Sequence, residues 1–534
     1  MRTLGSVCFF LMVSVGLVQA QTNTVEVRKL SLEDCIQIAL EHNLEVQIRR
    51  LDPELAGYTL RSSYGAYDPS LSLSGGHSFN RSPGGIDELG RTYAGTESED
   101  NNFSGMLGGL LPWGGGSYSV GGRITDTYGT RPGFREGDPF VVTNSFVDIN
   151  TGNTISFLTT NNVTIAARDP FESVNGSVGL FQFRQPLLRN FLIDSTRLQI
   201  LINRKNLQIS ELELRAQIMD VITRVEQAYY NLIFAKEDVL VQRKALELAE
   251  RLLAENRKRV EVGALAPLDE KQAEAQAAGN RAELLAAEGT EDTMQRVLKN
   301  LLSDDYSKWK DTAITPAETL LAIPEQFDLQ ESWRRGLTQR PDVLQQKIAL
   351  EKQGYIVKFQ KNQILPQLDV VGTAGLNASS REDVDDALEQ IRGRNNPFWS
   401  VGGQLTIPLG NRSARYNYRS AKATRQQIEL QLKQLEQSVL IQIENSIATA
   451  RTAFQRVNAT REARIFAEAA LEAEQKKLES GKSTNFEVLR LQRDLTTARS
   501  AEIRALADYN TALAQIALNE GTTLERRKVK LELQ

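Results

Sequence analysis

The residue types that carry catalytic and metal chemistry are sparse in this chain. Of its 534 residues, two are histidine and two are cysteine. His42 falls in an amphipathic stretch and His77 in an alternating one, and neither has a repeated ligand at metal-site spacing. Cys8 lies in an apolar N-terminal run; once that run is removed, Cys35 has no intrachain disulfide partner, and its apolar-face position reads as packing. No phosphate-binding loop, nucleophile elbow or HExxH motif occurs in the sequence. No cofactor, metal or enzymatic activity is therefore expected. The formal net charge of -4 comes from 63 basic and 67 acidic residues, which leaves no basic footprint for nucleic acid. What remains is the chemistry of surfaces: charge, apolar faces and shape.

The elements that position those surfaces are long. Residues 187–262 contain neither Gly nor Pro, and as one α-helix they would reach roughly 110 Å. Within them Leu214, Ile218, Val221, Val225, Ala228, Leu232, Ala235, Val239, Leu246, Ala249, Leu253 and Val260 follow steps of three and four. Gln242 and Asn256 are the two polar interruptions of this heptad seam. A second such rod is expected over 411–480.

The two rods belong to an internal duplication. Residues 30–75 align without gaps on 327–372: Gly57 meets Gly354, Tyr58 meets Tyr355, Pro69 meets Pro366 and Gly75 meets Gly372. Further on, Gln182 and Pro186 in FQFRQPLL meet Gln404 and Pro408 in GQLTIPLG, and Gly263 meets Gly481. Each half is expected to supply a long helix, a tip turn and two half-length helices that run antiparallel beside it.

At the N-terminus, Arg2 precedes an apolar run that ends in Val18-Gln19-Ala20, so residues 1–20 read as a secretory signal peptide. No later stretch holds 18 consecutive apolar residues, so any membrane span must be a closed β-barrel. Leu71, Leu73 and Phe79 alternate with serines, as do Tyr118, Val120 and Ile124 with polar residues, and Trp399, Val401, Leu405 and Ile407 with Ser400, Gln404 and Thr406. Lipid outside and water inside calls for this period of two. Trp113, Tyr118, Phe103, Phe398 and Trp399 are candidates for an interfacial aromatic girdle. The turn over 111–116 could add a pair of strands to the first half; 127–170 and 383–396 read as exposed loops.

The fold class expected is mainly α with a transmembrane β portion. The first repeat covers 21–302: a helix over 31–67, restarted at Asp52-Pro53, a β segment over 68–186, the rod at 187–262 and a helix at 268–302. A linker follows over 303–326. The second repeat, 327–520, has a helix over 328–364, a β segment over 366–409, the rod at 411–480 and a helix at 486–520. Residues 521–534 form a tail. One protomer's four to six strands are too few to enclose a water-filled pore; a trimer would supply about twelve or about eighteen.

The signal peptide, the duplicated halves, the FQFRQPLL and GQLTIPLG joints and the tip turns KRVEVGALAPLDEKQAE and KKLESGKSTNFEVLRLQ resemble those of the TolC family of outer-membrane efflux proteins. The resemblance covers essentially the whole mature chain. It implies a homotrimer sharing one outer-membrane β-barrel, with helices forming an α-barrel through the periplasm. It also implies a periplasmic adaptor (membrane fusion protein) and an inner-membrane pump of ABC, RND or MFS type as partners, in a tripartite efflux or type I secretion system. Under the resemblance, Val262, Gly263, Ala264, Ser480, Gly481 and Lys482 face the adaptor, and Glu487, Arg490 and Asp269 ring the periplasmic aperture. Arg490 departs from the family pattern, which has an acid there, and an intrahelical Glu487–Arg490 pair would cancel much of the field. Pro186 and Pro408 mark the strand-to-helix joints. The alternatives are a periplasmic coiled-coil adaptor or scaffold, which would carry one hairpin flanked by β-domains, and a diffusion porin, which has no use for heptad rods.

Overall fold

The computed structural model describes residues 26–86, 92–161, 164–263, 265–381 and 383–529. The expected signal peptide over 1–20, Ala264 and the end of the tail lie outside the described residues. In chain order the first half comprises β1 (Glu26–Leu30), α1 (Leu32–His42), α2 (Leu44–Tyr64), β2 (Ser70–Ser82), β3 (Gly85–Ile86), β4 (Thr92–Tyr93), β5 (Thr96–Leu110) and β6 (Ser117–Glu136). It continues with β7 (Phe140–Val147), β8 (Thr154–Asn161), β9 (Thr164–Pro186), α3 (Ser195–Glu261) and α4 (Pro267–Leu302). Then come α5 (Tyr306–Trp309), β10 (Thr312–Pro316), α6 (Leu329–Gln339), α7 (Pro341–Asn362), β11 (Gln367–Ser380), α8 (Val384–Arg392), β12 (Pro397–Thr406), α9 (Arg412–Glu479), α10 (Asn485–Glu520) and α11 (Thr523–Arg526).

The chain forms two compact units. One, built from residues 54–209 and 346–431, holds a six-stranded sheet in the order β12-β11-β9-β6-β5-β2, antiparallel throughout. The 111–116 turn thus joins two strands of this sheet, and the first half contributes four strands to the second half's two. Cross-strand register sorts the side chains into two faces. One carries Leu71, Leu107, Val120, Phe181, Ala374 and Trp399 in a single row, followed by Leu73, Gly105, Gly122, Val178 and Leu376. The other carries Ser70, Ser72, Ser74, Ser104, Ser119, Gln182, Thr373 and Ser400. A concavity of about 630 Å³ lies at the helix-joined end of the polar face, lined by Ser70, Ser117, Ser119, Gln182, Arg184 and Thr373 among others.

Two expected loops are structured. β6 runs on to Glu136 and β9 begins at Thr164, with the β7–β8 hairpin between them. Polar cross-strand contacts carry the extension, such as Tyr128 donating to Glu99 at 2.6 Å and Arg168 to Glu97 at 3.3 Å. In 383–396, Asp383 caps α8 by accepting from the Asp386 amide, and Ala387 and Ile391, one turn apart, seat on Val174, Ala378 and Ile124.

The other unit contains the described residues within 26–53, 210–345 and 432–529. Its cores repeat each other: Val221, Val225, Tyr229 and Leu232 of α3 are buried with α1 and α4, and their repeat counterparts Val439, Ile443, Ile447 and Ala450 of α9 are buried with α6 and α10. β1 and β10 pair in parallel, clamped by the Tyr229 hydroxyl, which donates to the Leu30 carbonyl and accepts from the Ala317 amide, both at 3.1 Å. Cys35 is completely buried there, and burial pushes its thiol up to about 12.

The helix boundaries correct the expectations. The break in 31–67 falls at Asn43, not Asp52: Asn43 Oδ1 accepts from the Glu45 and Val46 amides, whereas the Asp52 carboxylate is held by Arg49 at 2.9 Å and Pro53 stays inside α2. The expected helix over 328–364 breaks at the repeat-equivalent Arg340, because Pro341 starts a new helix. The first rod begins at Ser195 rather than 187. Asn190 takes a positive φ of 69°, and Asp194 caps the start by accepting from the Arg197 amide at 2.7 Å. α3 and α9 have 67 and 68 residues, each about 100 Å of helix. The expected 268–302 and 486–520 helices each begin one residue earlier.

Gly521 ends α10 at φ 81°, and a Cβ there would sit 2.9 Å from the Arg340 backbone nitrogen. Gly521→Ala should therefore cost more than about 1 kcal/mol. Gly481→Ala has the same sign of φ but open space around it, and should cost less. Melting followed by helical circular dichroism in detergent checks the ordering; equal midpoints for the two variants would contradict it.

Candidate functional site

Two surfaces can do work: the helix tips and the faces of the sheet. At the first tip, the Gly263 amide donates to the Val260 carbonyl at 2.9 Å with φ 74°, and α4 starts four residues later at Pro267. At the second, Gly481 has φ 76° and the Lys482 amide reaches back to the Lys477 carbonyl at 2.8 Å, a Schellman closure. Ser480, Gly481 and Lys482 are exposed, and Val262 is 77% exposed. Beside them Leu268 and Phe486, related by the same repeat offset as the two glycines, are also exposed. Sequence reading passed over this pair because each sits at the start of an amphipathic helix, where an apolar residue reads as core.

Charged groups brace the tips. The Ser483 hydroxyl and Lys477, with Arg490 beyond, hold the Glu474 carboxyl below its usual range, and Lys271 does the same for Glu274. Of the aperture candidates, Arg490 and Glu487 form an ion pair at 2.6 Å across one turn of α10, both partly exposed. Asp269, in the first turn of α4, has no ion pair among the described residues. Glu487 is thus a carboxylate with its charge largely countered, and Asp269 one without.

The seam itself holds a buried anomaly. Asn256 is 1% exposed, and neither of its amide atoms has a partner. Asn485, the first residue of α10, is also buried with Oδ1 unpartnered. Ser500 donating to Asp238 and Arg504 donating to Asn231 set α10 antiparallel to α3, which carries both asparagines toward the tips. Each unsatisfied amide costs roughly 1–3 kcal/mol when dry.

In the sheet, Pro186 is buried at the end of β9, where the next amide, Leu187, donates to the Leu368 carbonyl at 2.7 Å; Pro408 is exposed. Arg184 pairs with the buried Asp369 at 2.6 Å at this end. Among the girdle candidates, Trp399 is on the apolar face and 79% exposed, Tyr118 shares that face, and Trp113 stands exposed in the 111–116 turn. Phe398 is a correction: strand alternation puts it on the polar face opposite Gly375, so it does not belong to a lipid-facing girdle. No group of three or more His, Cys, Asp or Glu placed to hold a metal occurs among the described residues.

A sequence model described as outer membrane efflux protein matches residues 169–303 and 334–521. BepC, an outer membrane efflux protein of Brucella suis, is 25% identical over 326 residues, covering 60% of this chain and 68% of its own. TolC, an outer membrane protein of Vibrio cholerae, is 26% identical over 320 residues, covering 57% and 68%. The outer membrane channel CmeC of Campylobacter jejuni superposes with a TM-score of 0.60 at 16% identity, over 92% of this chain and 86% of that one.

Replacing the dry amide by an isosteric apolar group removes its desolvation cost. Asn256→Leu should raise the thermal midpoint in detergent, with a gain of roughly 1–3 kcal/mol. A midpoint that falls would show that Asn256 is satisfied in the folded protein.

Proposed function

Since this chain belongs to the outer membrane efflux protein family, we propose that it works as a passive homotrimeric duct whose cargo is chosen by an inner-membrane pump. The protein is an outer-membrane efflux channel that extends into the periplasm. The observation that carries the duct reading is the open six-stranded sheet, apolar on one face and serine-rich on the other, with β2 and β12 as edges. In lipid those edges require partners, and three copies joined edge to edge make one barrel of about eighteen strands. The apolar face then meets lipid and the serine face lines water. A periplasmic adaptor has no use for such an apolar face, and a porin has none for two helices of about 100 Å each.

In this reading Val262, Gly263, Ala264, Ser480, Gly481 and Lys482 meet the adaptor, and exposed Leu268 and Phe486 supply the apolar contact. Glu487 and Asp269 line the periplasmic aperture, where three copies bring like charges together and Arg490 weakens the field. The protein's own part is conduction, with no catalytic step.

Two measurements test this. The purified protein in detergent should have the mass of three chains; a monodisperse single chain, soluble without detergent, overturns the duct. In planar bilayers Glu487→Ala should weaken block by divalent cations, and Arg490→Ala should deepen it by releasing the carboxylates. Unchanged conductance and block in both variants would remove Glu487 from the aperture.

A further inference from the structure

At the level of its Ser74–Ser104 pair, the serine face carries a charge that nothing in the fold accounts for. Register places Ser74, Ser104, Arg123, Ser177 and Asn377 in one row across β2, β5, β6, β9 and β11. The other members of the row satisfy each other in pairs: Ser74 bonds Ser104 at 2.7 Å and Ser177 donates to Asn377 at 2.9 Å. Arg123 stands between the pairs, exposed, with no hydrogen bond or ion pair among the described residues.

Charge elsewhere on this face does not cancel it. Asp100 lies opposite Thr127, four residues along β6 and about 13 Å away. That is beyond the roughly 8–10 Å screening length of physiological salt, and the Asp100 carboxylate is occupied by the Thr127 hydroxyl at 2.7 Å. Toward the other end, Arg184 is neutralised by Asp369 at 2.6 Å. An unpaired guanidinium gains nothing for the fold here. It keeps its donors free for a solute, in the planar geometry that grips a carboxylate, phosphate or sulfate.

We propose that Arg123 forms a threefold cationic ring in the barrel lumen and biases the duct toward anionic solutes. The inference rests on the reading of the serine face as the lumen, and on the trimer that repeats the residue three times. Rings of arginine at one level are a physical means of anion preference in pores.

The test uses the full-length trimer in planar bilayers under a KCl gradient, with citrate added from the barrel side as a trianionic probe. Arg123→Ser should lower the chloride-to-potassium permeability ratio by about twofold or more and weaken citrate block, Arg123→Glu should go further, and Arg123→Lys should keep most of the preference. If the Ser and Glu variants keep both the wild-type ratio and the wild-type citrate block, the ring is rejected. Thiol labelling separates that failure from failure of the lumen reading. Arg123→Cys and Ser104→Cys should react with a charged, membrane-impermeant maleimide while Leu73→Cys does not. The reverse pattern would overturn the lumen assignment itself, and with it the ring. The native Cys35, buried and with its thiol pushed up to about 12, stays silent in this assay.

Discussion

A β-sheet edge in hydrocarbon leaves each unpaired amide and carbonyl with no water to bond, at several kcal/mol per group. β2 and β12 are such edges, thirteen and ten residues long. The cost cannot be met within one chain, because six strands are too few to close around an aqueous lumen. Association with further copies is thus a condition for inserting the sheet at all. The serine face follows from the same constraint. A closed barrel with water inside needs small polar side chains inward, and the hydroxyl pairs Ser74–Ser104 and Thr373–Ser400, each at 2.7 Å, satisfy one another across strands. Such a lining offers passing solutes little apolar area to adhere to.

The helical unit answers a different problem with the same economy. α3 and α9 are too polar overall to be buried on all sides, yet each has one apolar seam, and the duplication sets the seams to work in parallel cores. Tyr229 occupies in α3 the position that Ile447 occupies in α9. The difference has a purpose, since the Tyr229 hydroxyl binds β1 and the residue that follows β10. The repeat therefore supplies packing, and departures from it supply the particular contacts.

Much of this was legible because period and duplication are written along the chain. The rods, the tip glycines, the strand-to-helix prolines and the alternating strands each follow from residue spacing. Helix breaks were less legible. Asn43 and Arg340 hold equivalent places, but one break depends on an asparagine side chain serving two amides and the other on a following proline. Neither shows as a gap in amphipathicity. The helix α8 was hidden because it is short and only two of its residues, Ala387 and Ile391, pack on the sheet, amid acids that suggest a loop. At the candidate site, Glu487 and Arg490 could be seen to pair from their spacing alone. Leu268 and Phe486 could not be seen as exposed, since exposure depends on which side of a helix finds a neighbour.

The polar residues in the seam bear on how a closed bundle could open. A seam packed by aliphatic residues throughout would hold its tips with the full strength of burial. Asn256 and Asn485 weaken it locally, at the end where the proposed aperture lies. Water reaching both amides would recover part of their desolvation cost, so the dry and hydrated arrangements of the tip differ less in free energy than those of the aliphatic stretch above. Glu474 and Glu274 work in the other sense: each is held within its own hairpin, Glu474 by Ser483 and Lys477, Glu274 by Lys271 and by Arg257 of α3, so those contacts persist if the two hairpins part. A tip of this kind is stiff within each hairpin and soft at the buried asparagines, which suits the contact-driven aperture proposed above.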